Sequence, residues 1–304
     1  MTVQSLSDQL PLLPQLHQLS SNGIQLACHA WRAVQRGGSP TLLMVHATGF
    51  HGRVWDPVIR RLPDHHVLAP DMRGHGRSEA APFASWETFG RDLAGLASAM
   101  DLRGAIGVGH SMGAHALVQA AAFEPERFSR LLLVDPVVQA PSSYHLPPVP
   151  AGTLHPAAGR KRHFDSPQSM FERFAERSPY ALFDREALQQ YCQHGLRPAA
   201  SGKGWELACA PEFEASIYPQ ARGNAGVFAS IRALQIPVWV VRARPQDPSI
   251  LPWDPLGSPT WPALAAEFRQ GRDLVFPEQT HFLPMQDPAL MARLIDELSH
   301  GSAT

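Results

Sequence analysis

Along this chain, short runs of consecutive apolar residues alternate with stretches where apolar residues recur every three or four positions. That alternation predicts an α/β fold, a mostly parallel central sheet flanked by helices. Thr41–Val45, Ala105–Gly109, Leu131–Asp135 and Val238–Val241 are continuous apolar runs, as expected of strands covered on both faces. His66–Pro70 and Asp273–Phe276 are further strands. Gly23–Trp31 follows Ser21-Asn22, so a turn leads into a strand predicted at the sheet edge.

Between these runs the period changes. Trp86, Phe89, Leu93, Leu96 and Met100 share one face of a helix predicted over Trp86–Met100, with Ser85 as N-cap. A helix through Ala114 to Phe123 is stopped by Pro125, and another is expected near Trp261–Phe268. The last, Pro288–Leu298, has Asp287 as N-cap and proline at its first position.

At Pro136 the strand–helix rhythm breaks. Pro141, Pro147, Pro148 and Pro150 mark loops, followed by amphipathic helices over Ser169–Arg177, Arg185–Gly195, Glu212–Tyr218 and Gly226–Leu234, with no strong strand among them. The organisation read from this is a core of residues 1–136 and 237–304 with an inserted helical cap, 137–236.

Composition narrows the chemistry. A net charge of −1 and a pI near 7.0 provide no field for nucleic acid or an anionic membrane, and a small weakly polar ligand suits that balance better. No apolar run reaches the length of a membrane span, and no signal peptide is read: no Lys or Arg precedes Arg32, and Pro11 and Pro14 interrupt the first apolar stretch. Cys28, Cys192 and Cys209 form neither a CxxC pair nor a disulfide framework, so free buried thiols and a cytoplasmic setting are expected.

Gly109-His110-Ser111-Met112-Gly113 is a G-x-S-x-G between a predicted strand and helix. A serine there sits on a sharp turn with its hydroxyl raised above the sheet edge, and the glycines are needed because side chains would clash. The competing dinucleotide reading of Gly107 and Gly109 fails, since a third glycine would fall at Met112.

Serine needs a base to take its proton. His281, in the loop after the last predicted strand, lies at the same sheet edge as Ser111 and follows it in the order Ser, acid, His. The acid comes from two strand-end aspartates. Asp247 is preferred, Asp135 is the alternative that fits the same order, and Asp254 ranks third. The oxyanion donors are assigned to the backbone N–H of Met112, at a helix start, and of Thr48, in the loop His46-Ala47-Thr48-Gly49-Phe50. No HExxH or similar pairing suggests a metal.

With these residues in view, the chain resembles the α/β-hydrolase superfamily, in particular its cap-bearing serine hydrolases of carboxylesterase type. The resemblance rests on His46–Phe50, on Asp71-Met72-Arg73-Gly74-His75-Gly76-Arg77-Ser78, on Gly109–Gly113 and on His281-Phe282-Leu283-Pro284. Ala47 stands where the family usually has glycine. The resemblance implies no cofactor, gives Asp71, Arg73 and His75 a structural role, and likens Arg242–Asp247 to the family's acid loop. Serine at the elbow sets the chain apart from epoxide hydrolases and haloalkane dehalogenases, which attack with a carboxylate.

The cap aromatics, among them Phe164, Phe174, Tyr180, Phe183, Tyr191 and Phe213, suit an apolar acyl or aryl group. The expected reaction is therefore ester hydrolysis through an acyl-enzyme on Ser111. A C–C bond or lactone cleaved by the same residues is the alternative, and a non-catalytic ligand-binding role a distant one.

Overall fold

A computed structural model describes residues 13–147, 155–250 and 254–301. Pro11, Pro148 and Pro150, used above, lie outside them. The main sheet has eight strands: β1 (Gln15–Ser21), β2 (Ile24–Trp31), β3 (Leu42–Val45), β4 (Val67–Pro70), β5 (Ala105–His110), β6 (Phe128–Val134), and then β10 (Val238–Arg242) and β11 (Gly271–Val275), which follow three short strands introduced below. Their order across the sheet is β1-β2-β4-β3-β5-β6-β10-β11. The β1–β2 and β2–β4 pairings are antiparallel and all others parallel.

The apolar runs become strands because both faces are covered. On β3, Leu43 and Val45 face one core cluster while Leu42 and Met44 face the other; on β6, Leu131 and Leu133 alternate in the same way with Leu132 and Val134. The helices are α1 (Asp56–Ile59), α2 (Glu87–Ala99), α3 (Met112–Phe123), α4 (Pro167–Phe174), α5 (Arg185–His194), α6 (Pro211–Ile217), α7 (Val227–Ala233), α8 (Leu283–Gln286) and α9 (Pro288–His300). Helices α2 and α3 fill the first cluster with Phe89, Leu93 and Leu117, and α1 and α9 fill the second with Val58, Ile59, Met291 and Ile295. Asp287 caps α9 as its position predicts, its Oδ1 accepting from the Leu290 N–H at 2.8 Å.

Three expectations are corrected. The strand predicted at the edge, β2, is second in the sheet, because the Asn22-Gly23 turn pairs it with β1 outside it. Both turn residues have positive φ, +46° and +79°, the conformation that tight hairpins require. The helix expected near Trp261–Phe268 shrinks to one 3-10 turn, Leu264–Glu267. The segment 137–236, read as lacking strong strands, carries a small antiparallel sheet in the order β7-β9-β8, from β7 (His163–Phe164), β8 (Leu196–Pro198) and β9 (Trp205–Leu207). Strands of two or three residues are too short to leave a period-two signal.

That segment packs into the same two clusters as the sheet. Phe164, Met170, Phe183 and Tyr191 join one, and Ile217, Val227, Phe228 and Ile231 join the other. Two polar links reinforce it: Trp86 Nε1–H donates to the Ile217 carbonyl at 2.9 Å, and Asn224 Nδ2–H donates to His115 Nε2 at 3.1 Å.

Candidate active site

The site is built at the C-terminal ends of β3, β5 and β6, where α/β folds gather their ligands. Strand β5 ends at His110 and α3 begins at Met112, so a single residue, Ser111, makes the whole turn. Its backbone has φ +58° and ψ −117°, a strained conformation for a residue with a side chain. The flanking glycines make that turn sterically possible. A Cβ on Gly109 would lie 2.6 Å from Ala114 Cα, and one on Gly113 would lie 2.5 Å from the His46 carbonyl oxygen.

His281 meets Ser111 from the loop between β11 and α8. Its Nε2 is 3.1 Å from Ser111 Oγ, and its Nδ1 is 3.0 Å from Asp135 Oδ2. All three residues are buried, at 6%, 8% and 1% exposure. A carboxylate can only accept, so Nδ1 carries the ring proton and Nε2 is left as the acceptor for the serine hydroxyl. The other oxygen of Asp135 accepts from the Ala243 N–H at 3.0 Å and from Ser258 Oγ–H at 2.6 Å. The carboxylate is thus held at both ends.

The preferred acid, Asp247, is not at this site. It lies in a surface loop, accepts from the N–H and hydroxyl of Ser249, and is shifted below the usual carboxylate range by those bonds, the hydroxyl's first. Asp254, the third choice, is fully buried but paired with Arg244 at 2.8 Å. The physical reason is the path of the chain after β10. That loop reaches the histidine through the Leu256 carbonyl, which accepts the His281 N–H at 2.8 Å, and it reaches Asp135 through Ser258. No carboxylate of the loop comes with it. Asp135, directly after β6 with φ +46°, fills the place instead.

Ser258, Ala243 and His110 were not singled out by sequence reasoning as partners of the histidine. His110 Nε2–H donates to the His281 carbonyl at 2.8 Å, anchoring the loop that carries the base. Burial, and then the nearby His281, push His110 down to about 3, so it stays neutral and does not compete as a base. Only a strand-end Asp-Pro at 135–136 was visible as a signal; Ser258 had none.

Thr48 is buried in a turn after β3, and Met112 is the first residue of α3. Among the described residues neither backbone N–H has a hydrogen-bond acceptor. The close approach of Gly113 to the His46 and Val45 carbonyls sets the start of α3 against the Thr48 loop. One unpartnered N–H, that of Met112, thus lies next to Ser111 at a helix N-terminus, and the other, that of Thr48, lies in the loop against which that helix starts.

An aromatic wall stands beside the histidine. Phe282 packs on His281 with ring centres 5.6 Å apart, Phe183 on Phe282 at 5.5 Å, and Phe50 on Tyr191 at 5.1 Å. Behind it, half-buried Arg160 is paired with Glu214 and donates to Tyr191 Oη at 2.6 Å and Tyr180 Oη at 3.2 Å. Among the described residues no cluster of three His, Cys, Asp or Glu could hold a metal, and no helix is long and apolar enough to cross a membrane.

Residues 42–294 match a model of the Alpha/beta hydrolase family. Lipase LipV of Mycobacterium tuberculosis is 36% identical over 104 residues, 33% of this chain and 39% of the lipase. Esterase YbfF of Escherichia coli K12 is 32% identical over 83 residues, 27% of this chain and 32% of the esterase. The match to each thus spans well under half of the relative's length. Among solved structures, E-2-(acetamidomethylene)succinate hydrolase superposes with a TM-score of 0.69 at 20% identity, covering 93% of this chain and 98% of that one. Esterase Rv0045c of M. tuberculosis gives 0.65 at 20% identity over 97% of this chain and 94% of that one. At that identity the superpositions speak for the fold alone.

Proposed function

Because the chain belongs to the alpha/beta hydrolase family and is a hydrolase, we propose that it cleaves carboxylic esters with an apolar acyl or aryl group. The proposed route is an acyl-enzyme on Ser111. The observation that carries this reading is the unbroken contact from Ser111 Oγ through His281 to Asp135, at 3.1 and 3.0 Å.

In this reading His281 Nε2 takes the hydroxyl proton as Oγ bonds to the ester carbonyl carbon. The carbonyl oxygen gains the negative charge and is received by the Met112 and Thr48 N–H groups, each worth on the order of 10²–10³ in rate. Asp135 stabilises the imidazolium formed in that step. The intermediate collapses, the C–O bond breaks, and the alcohol leaves with the proton from Nε2. Water then repeats the sequence on the acyl-enzyme and releases the acid.

The aromatic wall of Phe50, Phe183, Tyr191 and Phe282 supports the apolar preference. Residues 137–236 act as the cap that bounds the acyl side. Three free buried thiols accord with a cytoplasmic enzyme. The LipV and YbfF relatives, a lipase and an esterase by name, accord with ester chemistry.

A panel of p-nitrophenyl esters of rising acyl length, aryl esters, lactones and 1,5-diketones tests the proposal. Turnover of apolar acyl and aryl esters above all others, lost in Ser111→Ala, is expected. Turnover of a lactone or a C–C substrate with no ester hydrolysis would overturn it.

A further inference from the structure

Two buried histidines outside the Ser111–His281–Asp135 relay hold the turn that presents Thr48. Phe50 N–H donates to the Ala47 carbonyl at 3.2 Å, closing a four-residue turn, and Gly49 in its third position has φ +80°. This is the type II geometry, in which the Thr48–Gly49 peptide is rotated about half a turn from its type I orientation. The same four residues can form either, so something must select.

Glycine at the third position permits the type II form, and His75 bonds to it. Its Nε2 accepts the Gly49 N–H at 2.9 Å, and its Nδ1–H donates to the Arg73 carbonyl at 2.8 Å. Rotating the Thr48–Gly49 peptide would turn that N–H away from the ring. His46 holds the neighbouring peptide. Its Nε2 accepts the Met72 N–H at 2.9 Å, which places the ring proton on Nδ1, and that proton goes to the Ala47 carbonyl at 2.7 Å. In a trans peptide the C=O and N–H point in opposite directions. Fixing the Ala47 oxygen therefore aims the Thr48 N–H the other way. The two rings stand 5.1 Å apart, both fully buried. From the far side, Glu214 on α6, paired with Arg160, occupies the space a Gly49 side chain would need, 2.6 Å from a Cβ built there.

We propose that His75, together with His46, is a positioning residue for oxyanion stabilisation: a two-ring brace that fixes the peptide planes of the Ala47–Phe50 turn. The inference rests on the serine-hydrolase reading above. His75 touches no reacting atom; it acts through the Gly49 peptide on Thr48.

The test contrasts two amides that each keep one of the ring's two bonds. In His75→Gln the amide oxygen reaches the Nε2 position and accepts from Gly49. In His75→Asn the amide nitrogen takes the Nδ1 position, keeping the bond to Arg73 and losing the one to Gly49. A donor moved by about an ångström costs about 10²-fold in rate. The expected result for Asn is a kcat lower by about 10–100-fold with KM nearly unchanged. A trifluoromethyl ketone, whose adduct puts an oxyanion in the same place, should lose affinity by a matching factor. Gln should recover most of both. Equal losses in Gln and Asn, or losses that follow melting temperature instead of the retained bond, would overturn the brace. Should the Asn variant not fold, His75→Leu, which keeps neither bond, is compared with Gln in its place. Fluorophosphonate labelling of Ser111 runs alongside. Wild type that labels on Ser111 while Asn matches Gln defeats the brace alone; wild type that does not label defeats the underlying reading.

Discussion

Asp135→Asn is expected to be nearly inactive, and the structure indicates why the amide cannot adapt. The aspartate presents Oδ1 to two donors, Ala243 N–H and Ser258 Oγ–H, and Oδ2 to His281 Nδ1. Asparagine has one oxygen. If that oxygen stays with the two donors, the NH₂ faces His281 and forces Nδ1 to accept. The ring proton then moves to Nε2, which meets Ser111 as a donor and cannot take its proton. If the amide flips, the NH₂ opposes the Ala243 N–H in a buried site, at a cost of about 1–3 kcal/mol per unsatisfied group. The first arrangement wins, and the loss is about 10⁴ in kcat/KM, or about 5.5 kcal/mol of transition-state stabilisation. The assay is ester turnover and thermal melting of Asp135→Asn beside Asp247→Asn. Among the described residues the Asp247 side chain accepts from Ser249 alone, in a surface loop, so its variant should keep wild-type rates and stability within about 0.5 kcal/mol. Wild-type rates in Asp135→Asn together with an inactive Asp247→Asn would refute the reasoning.

Acid should destabilise the fold early. Burial lowers His51 and His115 to about 4 and His110 to about 3, so below the unfolded value of about 6.5 the unfolded chain binds more protons than the folded one. This contribution is complete above about pH 6.5 and is lost as pH falls toward the folded values. The slope is about 1.4 kcal/mol per pH unit for each histidine. Urea midpoints should fall steadily from pH 7 to 4.5, and a flat midpoint would contradict the burial argument. Gly113→Ala should lower stability by about 1–3 kcal/mol and reduce turnover, because the methyl meets backbone that cannot rotate aside. The atoms it would meet are the carbonyl oxygens of His46 and Val45, at 2.5 and 2.6 Å. Unchanged melting and rate would show that this contact is not tight.

What could be read from the sequence was what local sterics and burial dictate. Gly109 and Gly113 announced the elbow because any side chain there meets backbone or the next helix turn. The runs Thr41–Val45 and Leu131–Val134 announced strands because both faces are covered. Asp135 and Asp247 could not be separated, because the choice depends on which side of the sheet edge a loop turns toward. In the fold Asp135 is set apart by its contact with His281 Nδ1 at 3.0 Å, while Asp247 turns away into a surface loop and accepts from Ser249. Ser258 escaped notice for the same reason, its role being fixed by a partner 123 positions away. The mostly exposed residues of Gln15–Ser21 carry little apolar signal, so the sequence pattern shows β2 as the edge and does not reveal β1 outside it.

The central claim, that Ser111 is the nucleophile, is tested most directly by intact-mass measurement after exposure to a fluorophosphonate. The account predicts a single phosphonyl adduct on the wild-type chain, located to the peptide containing Ser111, and none on Ser111→Ala of equal melting temperature. An adduct that persists in Ser111→Ala, or one located elsewhere in the wild type, would contradict it.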